Sequence, residues 1–220
     1  MLQIIKKYPF LLSIVSFTYN LIYSPFLLRF YFSKNVTIKN TFLRKVKIRC
    51  YGNSKIYIGP KTIMNNTTLN SSNGGVIYIA GGSTNINNSL IAVGYKGGEI
   101  RISRGLTTEN CKIEAREGNK IHIGEDCMFS FGINIATTDY HSILSASTGE
   151  RINPGKDIRI GNHVWLGRNV DIMKGVSIAD NIIVGAGSIV TKSLTNSNSI
   201  YVGHPAAEIK TDVTWVRPLI

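Results

Sequence analysis

An aliphatic residue recurs every six positions through the second half of the chain, at Ile160, Leu166, Ile172, Ile178, Val184 and Val190. A second series follows four positions later, at Val164, Val170, Val176, Ile182, Ser188 and Leu194. An α-helix cannot keep a six-residue period on one face, because 3.6 residues per turn rotate successive members away. Short strands joined by tight corners can keep it, and three of them close one prism-like coil of about 18 residues. Each hexad then supplies two inward side chains, with Gly161, Gly167, Gly175 and Gly185 in the turns between. Stacked coils join these side chains into one continuous core.

A coarser copy of the pattern runs upstream as an Ile-x-Ile pair at 56/58, 77/79, 100/102, 121/123 and 158/160. In context the copies read GNSKIYIG, GGVIYIAG, GGEIRISRG, EGNKIHIG and GKDIRIG, spaced by 21, 23, 21 and 37 residues. One unit is therefore stacked about every 21 residues, the upstream coils carrying extra residues at a corner. Ile123, Phe129 and Ile135 already show the six-residue phase. Composition agrees, since 32 Ile, 21 Gly and 20 Asn against 14 Leu and 9 Ala favour strands and turns. With 220 residues and 43% hydrophobic content the chain can bury a core, which excludes disorder for most of its length.

The repeat lapses after Ile135 and resumes at Ile158, leaving residues 137–156 as an inserted loop. Long loops on rigid scaffolds are where function sits, and this one carries Asp139, Tyr140, His141, Glu150 and Arg151. Of the four histidines, His122 lies between two inward isoleucines and so points outward, His163 occupies a turn, and His204 sits in a Gly-His-Pro turn. Only His141 leaves the repeat. A histidine on a protruding loop suits general-base chemistry, with Asp139 or Glu150 available to hold its second nitrogen.

Charge is distributed unevenly. The net charge is +12, yet twelve Lys and Arg pass before the first acidic residue, Glu99, and the remainder balances 13 basic against 13 acidic side chains. Such a half faces something anionic: a lipid surface, a nucleic acid or an acidic polymer. No helix-turn-helix, zinc or RNA-recognition pattern is present, so nucleic acid is not expected as a partner. Cys50, Cys111 and Cys127 have no metal spacing and form no even-numbered disulfide framework, so no metal site and a reducing compartment are expected.

Residues 8–28 carry no charge, but Pro9 and Pro25 interrupt the run and Ser13, Ser16, Thr18, Asn20 and Ser24 recur through it. Neither a membrane span nor a removable signal peptide is expected. Residues 1–35 read instead as helices whose apolar faces pack on the rest of the protein or on another subunit. The other reading is an interfacial anchor, because Lys34, Lys39, Arg44, Lys45, Lys47 and Arg49 follow directly and extend a candidate membrane-associated region over residues 1–49.

The ordered strings DYHSI (139–143), IGNHVWLG (160–167), VGAGSIVTKSL (184–194) and YVGHPAAEI (201–209) resemble the hexapeptide-repeat acyltransferases, in their sugar O-acetyltransferase branch. The resemblance covers about residues 50–210. It implies an all-β fold, a left-handed parallel β-helix over residues 36–195 with a C-terminal tail over 196–220, assembled as a homotrimer. Acetyl-CoA would lie between neighbouring subunits. His141 falls on the family's catalytic histidine and Trp165, 24 residues on, falls on a tryptophan beside the active site. Gly167, Arg168, Gly185, Ala186, Thr191, Lys192 and Lys210 fall on or near positions lining the cofactor groove, with Gly185 and Gly187 permitting close approach and the lysines reaching phosphates.

Two departures from the branch bear on the acceptor. His141 is followed by Ser142 where a proline is common, and no acidic N-terminal acceptor-binding stretch is present. Both tilt away from free galactosides or maltose and toward members that modify polysaccharides. The expected activity is acetyl-CoA-dependent O-acetylation of a sugar hydroxyl in a bacterial surface glycan or its precursor, in the cytoplasm or on the inner face of the membrane. The rivals are a streptogramin-type drug acetyltransferase, against which the apolar N-terminal segment weighs, and a non-catalytic β-helical binding protein.

Overall fold

Parallel pairing stacks each Ile-x-Ile pair directly on the next, and strand pleating turns both isoleucines inward. Ile56 pairs with Ile77, Ile77 with Ile100, Ile100 with Ile121 and Ile121 with Ile158. In the computed structural model, which describes residues 9–220, these strands form a three-sided parallel β-solenoid of about seven turns.

The first three coils are β1 (Val36–Ile38), β2 (Phe42–Arg44) and β3 (Lys47–Cys50); β4 (Lys55–Ile58), β5 (Thr62–Asn65) and β6 (Thr68–Ser71); and β7 (Val76–Ile79), β8 (Thr84–Asn87) and β9 (Leu90–Gly94). In the next two, β10 (Glu99–Ile102) leads to β11 (Thr107–Arg116) and β12 (Lys120–Ile123) leads to β13 (Met128–Ala136), each long strand turning one corner. Then come β14 (Ile158–Ile160), β15 (Trp165–Leu166) and β16 (Asp171–Ile172), followed by β17 (Ser177–Ile178), β18 (Ile182–Val184) and β19 (Ile189–Val190). A hairpin, β20 (Ser199–Gly203) and β21 (Ala206–Lys210), follows.

The first face is the seven-stranded sheet β1-β4-β7-β10-β12-β14-β17. The second runs β2-β5-β8-β11-β13-β15-β18-β20, and the third β3-β6-β9-β11-β13-β16-β19. Parallel pairing continues past residue 195, because β20 adds a rung beneath β18 before β21 turns back antiparallel. In the last coils the register is 18 residues, Ile160 on Ile178 and Leu166 on Val184, as three hexads require. Every member of both aliphatic series is buried. The one polar member, Ser188, accepts the Gly203 amide at 3.0 Å. Asparagine supplies many of the corners: Asn40, Asn66, Asn73, Asn88, Asn110, Asn169, Asn181 and Asn198 all adopt positive φ, which asparagine tolerates better than other non-glycine residues.

Toward the rest of this chain the N-terminal helices present their polar side, not the apolar one. Helix α1 (Pro9–Tyr23) turns a polar stripe inward, leaving Ser16, Asn20 and Ser24 buried, while Phe10 is 75% exposed and Ile22 65%. The reason lies in the first coil, whose leading edge has no earlier strand to pair with. Asn20 accepts the Leu43 amide at 2.7 Å and donates to the Thr41 carbonyl at 3.1 Å. Ser24 donates to the Leu43 carbonyl at 3.0 Å and accepts the Val46 amide at 3.2 Å. A short helix, α2 (Leu28–Tyr31), completes the cap, and Tyr31 receives a bond from Asn20 at 2.8 Å. Among the described residues no single helix is long and apolar enough to cross a membrane; Phe10–Tyr23 and Pro25–Tyr31 meet the criterion only as a pair bent by 117°.

Candidate active site

Residues 137–156 leave the corner between the third and first faces, directly after β13. The loop folds as an irregular hairpin: the Ile152 amide donates to the Ile143 carbonyl at 2.9 Å, and the Ser145 amide donates to the Glu150 carbonyl at 2.8 Å. It is braced by the coils on either side of it. On the earlier coil, Glu117 takes a two-pronged bond from Arg151, at 2.8 and 3.1 Å, and the Gly155 amide at 3.0 Å. On the later coil, the Lys174 ammonium bonds the Asp139 carboxylate and the Asn153 carbonyl, the latter at 3.1 Å. Lys174 stands 18 residues after Lys156, one coil beneath the loop's exit.

Asn153 is the hub. It is buried, accepts the Ile143 amide at 2.7 Å, and donates to the Asp139 carboxylate at 2.7 Å and the His141 carbonyl at 2.9 Å. Just before the histidine, Tyr140 adopts φ +63°, a left-handed conformation that costs about 1–2 kcal/mol for such a residue. Its hydroxyl donates to the buried carboxylate of Glu114, and its ring lies 5.1 Å from the Lys112 ammonium and 5.2 Å from the Arg116 guanidinium. Burial pushes the Glu114 carboxyl up, but bonds from Lys112, Tyr140 and Arg116 outweigh it and hold the group below the usual range. Burial, then the bond to Glu114, raises the Tyr140 hydroxyl.

His141 itself is exposed. Of the two carboxylates offered by the sequence, Asp139 is engaged by Lys174 and Asn153, and the Lys174 bond holds it below its usual range. Glu150 sits at the far end of the hairpin. Among the described residues neither carboxylate bonds the His141 ring, which is positioned through its backbone: its amide donates to the Asp139 carbonyl at 2.8 Å, and its own carbonyl is held by Asn153.

The other expected site residues divide between two edges of the third face. Thr191 and Lys192 follow β19 and lie at the same corner as the loop, in register with Met173 and Lys174. Trp165 projects from the second face between Met128 and Ile183. Gly167, Arg168, Gly185 and Ala186 turn the corner between the second and third faces, with the Arg168 guanidinium 5.7 Å from the Phe131 ring. Lys210 pairs with Ile200 on the hairpin. The chain thus brings His141, Thr191 and Lys192 to one edge, and Trp165 with the glycine corner toward the other. Gly185 has a packing reason of its own, since a Cβ there would meet Val202 Cγ1 at 2.4 Å, whereas Gly187 faces open space and adopts φ +71°.

Sequence reasoning missed Glu114, Asn153, Lys174 and the C-terminal strap. Trp215 is buried; its indole donates to the His163 carbonyl at 3.0 Å, stacks on the His163 ring at 4.1 Å and lies 6.2 Å from Trp165. Arg217 pins the strap to Asp126 at 2.9 Å. Hexad arithmetic carried a signal for Lys174, and register carried one for Glu114, the partner of Ala136 at the loop's root. No pattern in the sequence marks Asn153. Among the described residues no group of three or more His, Cys, Asp or Glu converges as a metal site.

A stacked hexad solenoid with one braced loop and a projecting histidine defines a family, and comparison with known proteins agrees. The family model described as bacterial transferase hexapeptide (six repeats) matches residues 157–192. The chain belongs to the hexapeptide-repeat transferases. It is 40% identical over 169 residues to the polysialic acid O-acetyltransferase of Neisseria meningitidis, covering 76% of this chain and 77% of that one. The enzyme of the same name from Escherichia coli O1:K1 / APEC is 36% identical over 125 residues, 57% of this chain and 40% of its own length. The solved structure of the polysialic acid O-acetyltransferase OatWY superposes with a TM-score of 0.67 at 31% identity, over 82% of this chain and 92% of that one. This chain is accordingly an acetyltransferase, and these relatives carry names that give polysialic acid as their acceptor.

Proposed function

We infer that the protein transfers an acetyl group from acetyl-CoA to a hydroxyl of an anionic bacterial surface polysaccharide of the sialic acid type, with His141 as the general base. The observation that carries this reading is the exposed His141 on a loop anchored to the coils on both sides. A neutral imidazole nitrogen accepts the proton of the sugar hydroxyl as that oxygen attacks the thioester carbonyl. Collapse of the tetrahedral adduct breaks the carbon–sulfur bond, and the imidazolium returns the proton to the departing thiolate. Resemblance to polysialic acid O-acetyltransferases supports the acceptor class, and the excess of basic residues before Glu99 suits a polyanion.

A homotrimer would complete the site. The His141 edge and the Trp165 edge are separated by the width of the third face, about 15–20 Å for the six residues from Arg168 to Lys174. Three copies with that face turned inward set the His141, Thr191 and Lys192 edge of one against the Trp165, Gly167, Arg168, Gly185 and Ala186 edge of the next. The acyl-CoA would run between them toward the coils that carry Lys192 and Lys210. Peripheral attachment to the inner leaflet through the exposed apolar side of α1 is tested by co-sedimentation with anionic vesicles.

The deciding experiment is mass spectrometry of a sialic acid polymer incubated with acetyl-CoA and the protein. An acetyl increment is expected, and His141→Ala should lower kcat by about 10²–10⁴-fold without moving Tm. Full activity in that variant assigns the base elsewhere, and no increment with the native chain overturns the acceptor.

A further inference from the structure

The first face carries a row of side chains that the loop chemistry does not use. Register places Thr37, Tyr57, Tyr78, Arg101, His122, Arg159 and Ser177 opposite one another on successive strands. Each residue from Tyr57 to Arg159 lies between two buried isoleucines, so pleating turns all five outward. Adjacent strands are about 4.8 Å apart, so the four steps from Tyr57 to Arg159 span about 19 Å along the solenoid.

The row is ordered. The Tyr57 and Tyr78 rings stack at 4.8 Å with an 8° angle between planes. The Arg101 guanidinium lies 5.4 Å from the Tyr78 ring, and the Lys39 ammonium 5.8 Å from the Tyr57 ring. Glu99 bonds both Arg101, at 2.5 Å, and His122, at 3.0 Å, and so fixes them side by side. Arg159 is exposed and, among the described residues, pairs with no carboxylate. Arg101, His122 and Arg159 also line a cavity of about 570 Å³, which they share with Ser103, Gly124 and Asp180.

Rings and cations repeating along one axis over about 19 Å exceed what a single sugar can engage. They match a polymer that repeats an apolar sugar face and a carboxylate. The row also has a direction. It starts in the coils that precede the first acidic residue and ends at Arg159, three residues after the loop re-enters the solenoid. The expected donor-binding residues, 165–210, lie on and beyond that coil, toward the opposite end.

We propose that Tyr57, Tyr78, Arg101, His122 and Arg159 form an extended docking track for the anionic polysaccharide acceptor, which delivers successive residues of the chain to the loop at 137–156. This rests on the acceptor class inferred above. Polymer and donor then approach the loop from opposite ends of the solenoid.

The test uses the full chain, a long sialic acid homopolymer, a sialic acid trimer and single-stranded DNA of matched charge. The double variant Tyr57→Ala/Tyr78→Ala and the single variant Arg159→Gln alter outward-facing positions, the tyrosines half-buried and Arg159 exposed, and unchanged Tm verifies their folding. KM for the homopolymer should rise at least tenfold in both, with kcat and trimer turnover within twofold of the native chain. Arg159→Gln should also flatten the fall of activity with salt. Unchanged homopolymer KM overturns the track while leaving the acceptor class intact. If the native chain acetylates no sialic acid polymer but binds it, and the variants lose that binding, the acceptor reading fails and the track stands. Absence of both turnover and binding ends both, and DNA that binds as tightly as the homopolymer reduces the track to a generic cationic surface.

Discussion

Replacing Asn153 with alanine isolates the loop from the scaffold. The side chain makes two bonds to backbone groups, at 2.7 Å from Ile143 and 2.9 Å to His141, one of 2.7 Å to the ionised Asp139, and accepts a longer one of 3.3 Å from Arg151 Nε. Neutral bonds contribute about 1 kcal/mol each and a charge-assisted one about 1.5–3 kcal/mol. Ile143 and His141 are exposed, so water replaces part of what is lost, which leaves a net cost of about 2–3 kcal/mol. At 1.4 kcal/mol per decade this is a shift of about 30–140-fold in the loop's opening equilibrium. Hydrogen exchange reads it directly at the Ile152 amide, whose bond to the Ile143 carbonyl closes the hairpin. Exchange should accelerate by that factor and kcat/KM should fall with it, while Tm stays constant because the solenoid core is untouched. Asn153→Asp keeps the acceptor for Ile143 but loses both donors and sets a second carboxylate against Asp139, so at neutral pH it should be at least as damaging. Exchange within threefold of native in Asn153→Ala, or an Asn153→Asp protein with native kcat/KM, would refute this account of the loop.

Two further outcomes follow from the same structure. Asn20→Ala removes the bonds that cap the leading edge at Thr41 and Leu43, and should destabilise the first coil by about 1–3 kcal/mol, read as faster exchange at the Leu43 amide with the later coils unchanged. Acid should release the loop before it melts the core. Asp139 is held below its ordinary 3.8 by Lys174, and Glu117 below its ordinary 4.5 by Arg151, then the Gly155 amide. Groups depressed in this way contribute stability that is complete above their ordinary values and lost as pH falls through the depressed ones. Cleavage within 137–156 by an acid protease should therefore rise below about pH 4 while strand exchange stays protected; a pH-independent cleavage rate would contradict it.

Most of the fold was legible because a solenoid is nearly one-dimensional. Each coil contacts only its neighbours, so period and register are written along the chain. Ile160, Leu166 and Ile172 fall on Ile178, Val184 and Val190 as the hexads require. Where the repeat breaks, the sequence located a loop and singled out the one histidine that leaves the solenoid. It did not reveal what holds that loop, because Glu117, Asn153 and Lys174 meet only once three coils are stacked. Asp139 illustrates the limit: beside His141 in sequence it is a natural partner for the ring, yet in space it answers to Lys174 and Asn153.

The N-terminal segment marks the same boundary. Helical character and apolar content are readable from its residues, and apolar content alone suggests that the apolar side goes inward. The tertiary structure turned the polar side inward instead, because the first coil ends in unpaired backbone groups that Asn20, Ser24 and the Tyr23 carbonyl satisfy. Periodicity in the chain determined what stacks on what. The edges, the corner loop and the outward row on the first face were decided by which groups the stacking left without a partner, and that becomes defined only when the coils are assembled.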